Sequence, residues 1–218
     1  METALVSEWI QKLRGRFLVF DGPDGSGKST QFHRFAAHCR ERGVQVCEVR
    51  EPGGTSIGEQ IRDILLDRNN TEMDLMAEMM LYMASRAQLA AQRIRPALAR
   101  GELVLADRFI SSTLAYQGTA GGLSKEDILT VGHVALKHAW PDLVIIFDVD
   151  AATAATRLNP LLDRMEAKGA AFHARVRQGF LDQASDDPEK HLLIDARSDE
   201  DTVWQELLTR LGEYVNRG

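Results

Sequence analysis

The segment Gly22-Pro23-Asp24-Gly25-Ser26-Gly27-Lys28-Ser29-Thr30 follows directly on the apolar run Phe17-Leu18-Val19-Phe20. This is the Gly-x-x-x-x-Gly-Lys-[Ser/Thr] spacing of a phosphate-binding loop, set between a strand and a helix. Glycines at 25 and 27 allow positive φ, so successive backbone N–H groups turn inward and form a concave anion site. The free N–H groups and positive dipole end of the following helix strengthen it. In such a loop Lys28 reaches the β- and γ-phosphates, and the Ser29 hydroxyl is available to Mg²⁺. The whole run from Gly22 to Thr30 is therefore expected to bind ATP.

A phosphate loop needs a parallel sheet behind it, and the rest of the chain supplies one. Short apolar runs at Arg16–Asp21, Val44–Arg50, Leu103–Asp107, Leu143–Val149 and His191–Asp195 alternate with helical patterns. Their Val, Ile, Leu and Phe content lacks clean alternation, as in strands buried on both faces. Helices are expected near 28–42, 57–66, 73–100, 125–138, 163–184 and 202–215. Ser124, with Asp127 three residues on, reads as an N-cap, and Ser198 reads as the cap of the last helix. The predicted fold is α/β: a three-layer α/β/α domain over residues 1–218, with a five-stranded parallel sheet. Residues 1–15 form an extension packing through Leu5, Trp9, Ile10 and Leu13.

The 218-residue chain is 44% apolar and carries a net charge of −6. That charge argues against a general nucleic-acid binder, which presents a basic face. No apolar stretch approaches the roughly 20 residues that span a bilayer. Cys39 and Cys47 lack a Cys-x-x-Cys partner, so reduced, buried thiols in the cytoplasm are expected. The histidines show no metal-ligand spacing.

Sites in such sheets lie beyond the carboxyl ends of the strands. The second strand delivers Arg50-Glu51-Pro52-Gly53-Gly54-Thr55, whose Pro and Gly residues force a loop and hold Arg50 at the exit. The third delivers Asp107, in the position of a carboxylate that holds Mg²⁺, and then Arg108. Ser112, Thr113, Tyr116 and Gln117 follow, with donors and acceptors for a sugar and a base. Tyr82 and Arg86 lie four apart on the long helix and share a face. Between Thr156 and Glu166, Pro160 interrupts any helix, and Arg157 and Arg164 are available to a mobile flap. Met73, Met76, Met79, Met80 and Met83 on the long helix read as adaptable core or as a contact with a second subunit.

Taken together these residues resemble the thymidylate kinase family over almost the whole chain from Phe17. The Arg-Glu-Pro-Gly-Gly-Thr string, the helix segment ending Tyr82-Met83-Ala84-Ser85-Arg86, and Ala115-Tyr116-Gln117-Gly118 are far more specific than the phosphate loop. Asp107-Arg108 and Leu162-Asp163-Arg164-Met165-Glu166 also match. The resemblance implies transfer of the γ-phosphoryl of ATP to dTMP in a Mg²⁺-dependent cytosolic homodimer, with a flexible LID at about residues 153–166. By matching position, Asp24 approaches the sugar 3′-hydroxyl while Arg50 and Arg108 grip the acceptor phosphate. Tyr82 stacks on thymine, Arg86 bonds its edge, Thr113 faces the base, and Tyr116 and Gln117 flank sugar and base. Ser29 and Asp107 hold the metal, and Lys28, Arg108 and a flap arginine act on the group in transit.

This chain has Gly25 where some relatives carry a loop arginine, and Asn159-Pro160 thins the flap. Arg157 is then expected to be the moving charge and Arg164 a structural partner of Asp163 or Glu166. Two alternatives compete: a kinase for another nucleoside monophosphate or a deoxynucleoside, and a nucleotide-binding protein with a degenerate site.

Overall fold

The first strand, β1 (Phe17–Asp21), is buried at every residue and lies at the centre of the sheet. The computed structural model of the chain describes residues 8–157 and 163–217. In chain order β1 is followed by α1 (Lys28–Glu41), β2 (Val46–Arg50), α2 (Ser56–Leu66), α3 (Leu75–Leu89), α4 (Arg95–Ala99) and β3 (Leu103–Asp107). Then come α5 (Ile110–Thr113), α6 (Lys125–Leu136), β4 (Leu143–Asp148), α7 (Ala151–Arg157), α8 (Ala170–Asp186), β5 (His191–Asp195) and α9 (Glu200–Arg217). The strands run parallel in the order β2-β3-β1-β4-β5. The expected α/β architecture with five parallel strands is the one observed.

Alternation along β1 divides the core in two, because successive side chains point to opposite faces. Phe17 and Val19 join Val104, Ala106 and Ile146 beneath α3, α5, α6 and α8. Leu18 and Phe20 join Leu105, Ile145 and Phe147 beneath α1 and α9. Phe20 lies 5.5 Å from Phe147 and 5.7 Å from Phe32, centroid to centroid. The extension packs on this second face through Trp9, Ile10 and Leu13; Leu5 lies outside the described residues.

Register fixes the site. Phe20 of β1 pairs with Asp107 of β3, so the phosphate loop and the Asp107-Arg108 pair leave the sheet side by side. Arg50 pairs with Asp107 from the other side, bringing the third loop to the same edge.

Three local expectations are corrected. The long helix is not continuous to Arg100: a π-turn, Ala90–Ile94, separates α3 from α4, directly before Arg95-Pro96. Pro96 lacks an N–H and its ring crowds the preceding turn, which widens to accommodate it. The cap of α9 is Asp199, whose carboxylate accepts from the N–H groups of Asp201 (3.1 Å) and Thr202 (3.0 Å), in place of Ser198. The helix expected from Asp163 starts at Ala170, because Gly169 at φ 84° breaks the chain after a short 3₁₀ turn at Glu166–Lys168. Ser124 caps α6 as expected, accepting from Asp127 N–H.

Candidate active site

The phosphate loop adopts the backbone its glycines permit, with φ of 139°, 77° and 78° at Gly22, Gly25 and Gly27. At Gly22 a Cβ atom would stand 2.4 Å from the Phe147 carbonyl oxygen, so only glycine fits against β4. Gly27 begins α1 in the left-handed region, and neither a side-chain cap nor an acidic residue in the first turn occupies the helix N–H groups. The helices α2, α3 and α6 all carry side-chain caps. The end of α1 is thus left open to an external anion.

Lys28 is buried at the base of this loop. Burial and the Arg108 cation lower its pKa, against the pull of Asp107, Asp24 and Asp21. Ser29 Oγ donates to Asp107 Oδ2 at 2.9 Å, joining the two expected metal-binding oxygens. A hydroxyl and a carboxylate are the hard donors that Mg²⁺ prefers, few in number because phosphate and water complete its shell.

Arg108 is a non-glycine residue at φ 68°, a conformation costing about 1–3 kcal/mol that its contacts must offset. Its Nη1 donates to the Gly22 carbonyl at 3.1 Å and Ser112 Oγ at 3.0 Å, and its Nη2 donates to Asp24 Oδ1. Asp24 also accepts from the Tyr116 hydroxyl at 2.6 Å. Burial raises the Asp24 pKa, but Arg108, Lys28 and the Tyr116 hydroxyl outweigh it and hold the carboxyl below its usual value. Fully buried Asp21 pins the assembly, accepting from Ser111 Oγ at 2.6 Å and Ser112 Oγ at 2.7 Å.

On the other wall, Arg86 is 1% exposed. Its Nε and Nη2 lie 2.7 and 2.6 Å from Glu51 Oε2, and Nη2 donates to Thr113 Oγ1 at 3.0 Å. Burial pushes the Glu51 carboxyl up to about 7 despite Arg86, and its Oε1 has no hydrogen-bond partner among the described residues. Gly53 N–H donates to Ser85 Oγ at 3.1 Å, a second tie between this loop and α3. Arg50 is half exposed and pairs with Glu59 at 2.8 Å. Tyr82 lies one turn before Arg86, its phenol pushed up mainly by burial. Gln117 is buried and donates to Glu78 Oε1 at 2.6 Å.

All of these expected residues line one cavity of about 270 Å³: Asp24, Lys28, Ser29, Arg50, Tyr82, Arg86, Asp107, Arg108, Thr113, Tyr116 and Gln117. Ser112, read with them as a donor and acceptor, lines the same cavity, and sequence reasoning gave no site role to Glu51, Arg62, Phe109, Asp163, Met165 and Glu166, which also line it. Glu51 sits inside a segment already singled out, yet nothing in the string marks it as the partner of a buried arginine. Arg62 stabilises the loop by donating to the Pro52 carbonyl at 3.0 Å.

Arg157 stands apart from this group. Its guanidinium donates to the carbonyls of Ala196 (2.8 Å), Arg197 (3.2 Å) and Ser198 (3.2 Å). It lines a second pocket with Ser26, Gly27, Gln31 and Asp199 on the far side of the phosphate loop. Arg164 is a structural partner, but of Glu78 (2.6 Å) and the Leu65 carbonyl (2.7 Å), not of Asp163 or Glu166. Glu166 instead accepts from the Asp163 backbone N–H, turning both carboxyls into the local chain. Asn159 and Pro160 lie outside the described residues.

Comparison with known proteins gives one answer. The profile of a family described as Thymidylate kinase matches residues 20–207. A thymidylate kinase of Caldanaerobacter subterraneus subsp. tengcongensis is 40% identical over 204 residues, covering 93% of this chain and 98% of the relative. One from Desulforudis audaxviator is 45% identical over 186 residues, covering 84% of each. The crystal structure of thymidylate kinase from Ehrlichia chaffeensis superposes with a TM-score of 0.74 at 30% identity, over 89% of this chain and 97% of that one. With the family profile matched over residues 20–207 and relatives 40–45% identical across most of their length, the chain belongs to the thymidylate kinase family.

Proposed function

We propose that the protein transfers the γ-phosphoryl of ATP to dTMP, giving dTDP and ADP. The observation that carries this reading is the single cleft in which an open helix N-terminus, Lys28, Arg108 and Arg50 face the same space as Tyr82, Arg86, Thr113 and Gln117. One end suits phosphate and the other a pyrimidine deoxynucleotide. The chemistry is an in-line displacement: a phosphate oxygen of dTMP bonds to the γ-phosphorus as the bond to the β-phosphate oxygen breaks. Little covalent assistance is needed, so catalysis is positioning and charge.

The loop N–H groups and Lys28 hold the donor phosphates. Arg50 and Arg108 hold the acceptor phosphate against its repulsion by them. Asp24, already oriented by Arg108 and Tyr116, accepts from the sugar 3′-hydroxyl. Tyr82 stacks on thymine and Arg86 donates to its edge. Ser29 and Asp107 would hold Mg²⁺, which would supply positive charge beside the donor phosphates.

Arg157, anchored by residues 196–198, belongs in this reading to the nucleoside end of the ATP site rather than to the transferring group. The α3–α6 face, where Met76, Met80 and Val134 are exposed at 38, 47 and 75%, suits a second copy of the chain. No helix among the described residues is long and apolar enough to cross a membrane. Cys39 and Cys47 are free and buried, in keeping with a reducing cytoplasm.

ADP release measured with dTMP, dUMP, dCMP, dGMP and thymidine as acceptors tests the assignment. We expect the highest kcat/KM with dTMP. Highest activity on thymidine, or indifference to the base, would overturn it.

A further inference from the structure

Glu78 of α3 is 1% exposed and lies against one amide donor and two cations. Gln117 Nε2 donates to its Oε1 at 2.6 Å, while Arg164 Nη2 lies 2.6 Å and Lys168 Nζ 3.4 Å from its Oε2. The phosphoryl transfer described above uses none of these atoms directly. A fully buried carboxylate carries a large desolvation cost, and this one is kept beside a residue that lines the cavity.

A carboxylate accepts hydrogen bonds and cannot donate them. The Gln117 amide must therefore turn its NH₂ toward Glu78, and this leaves Oε1 as the end free to meet a ligand. The two ends of an amide are nearly the same size, so shape alone does not choose between them. Among the described residues no side chain other than Glu78 bonds the Gln117 amide. Arg86, across the same cavity, only donates. A thymine ring presents an N3–H donor flanked by the O2 and O4 acceptors. Arg86 as donor and Gln117 Oε1 as acceptor match it. Cytosine reverses two of these groups, with an acceptor at N3 and an amino donor at C4, and meets acceptor on acceptor and donor on donor.

We infer that Glu78 is a specificity-determining positioning residue, whose carboxylate fixes the orientation of the Gln117 amide and so selects a pyrimidine with an N3–H donor. Arg164 and Lys168 hold that carboxylate in place from the segment whose Asp163, Met165 and Glu166 line the same cavity. The inference rests on reading the cavity as the dTMP site. A site whose buried polar group meets the wrong partner rejects a ligand strongly, because the group is left unpaired.

The experiment is a double-mutant cycle on acceptor choice, using the ratio of kcat/KM for dTMP to that for dCMP. Glu78→Gln is nearly isosteric, but its oxygen stays with Arg164 and Lys168, so its NH₂ faces Gln117 and inverts that amide. We expect Glu78→Gln to lower the ratio at least about tenfold, chiefly through a higher KM for dTMP. In a Gln117→Leu background, where no amide remains to orient, the same change should move the ratio less than about twofold.

Thermal unfolding confirms that each variant is folded. Should Glu78→Gln disturb folding, the conservative Glu78→Asp serves, which keeps a carboxylate and is expected to keep the ratio. A folded Glu78→Gln with an unchanged ratio overturns the inference, as does an equal effect in the Gln117→Leu background or loss of the ratio in Glu78→Asp. Failure of the unmodified protein to phosphorylate dTMP would instead overturn the functional reading and this inference with it.

Discussion

Replacing Glu51 by Gln isolates the balance between burial and attraction beside Arg86. The Glu51 and Arg86 side chains are 2% and 1% exposed, with nitrogens 2.6 and 2.7 Å from Oε2. Attraction at that distance favours the ionised carboxyl, while burial disfavours it, as does Oε1 without a donor. Burial wins: the carboxyl is pushed from 4.5 up to about 7. A carboxyl raised in this way binds more protons folded than unfolded between those two values. Stability therefore falls as pH rises through that window, and its full benefit is present only below the unfolded value.

Gln is neutral throughout and imitates the protonated acid. From the two pKa values, the variant should gain on the unmodified protein by roughly 2–3 kcal/mol between pH 5 and pH 8. Any fixed penalty for the new amide NH₂ shifts both ends equally and cancels in this difference. Urea unfolding of both proteins at half-unit steps across that range gives the stability difference at each pH. A flat difference, or one in which Glu51→Gln becomes relatively worse at high pH, would refute the reasoning and mean that Arg86 balances or outweighs the cost of burial.

Further outcomes follow from the same geometry. Asp107→Asn keeps an acceptor for Ser29 but removes the charge; kcat/KM should fall at least about a hundredfold and half-saturation should need more Mg²⁺, and an unchanged Mg²⁺ titration would remove Asp107 from the metal site. Tyr116→Phe deletes the hydroxyl that orients Asp24; KM for dTMP should rise about tenfold with kcat nearly kept, since a hydrogen bond to a charged group contributes about 1.5–3 kcal/mol. Arg157→Ala should raise KM for ATP severalfold while kcat and KM for dTMP stay within about twofold; a collapse of kcat would return Arg157 to the transferring group. Met80→Asp with Val134→Asp should give a monomer in sedimentation velocity, and an unaltered sedimentation coefficient would remove this face from any dimer contact.

What could be read from the string follows how far apart the interacting groups lie along it. The phosphate loop is a property of consecutive backbone units, so its glycines and Lys28 announce it without tertiary knowledge. The strands are equally legible: apolar runs of five or six residues leave little choice in a sheet covered on both faces. The helix α7 was legible in principle, since Asp150 ahead of Ala-Ala-Thr accepts from Thr153 N–H at 3.0 Å, an ordinary cap signal. Expecting a flap there masked it. The buried charges are another matter. Glu51 and Glu78 have nothing in their neighbours to distinguish them from solvated glutamates. Only sheet register and the packing of α3 bring Arg86 to one, and Gln117, Arg164 and Lys168 to the other, from 35 to 90 positions away. Sequence thus exposed the residues that line the cavity, because they fall in short consecutive blocks at the strand exits. It concealed the groups that orient those residues, because their roles exist only after the sheet has closed. The discrimination between pyrimidines proposed here resides in that concealed layer, so relatives sharing every ligand-touching residue can still differ in acceptor choice through the residue at position 78.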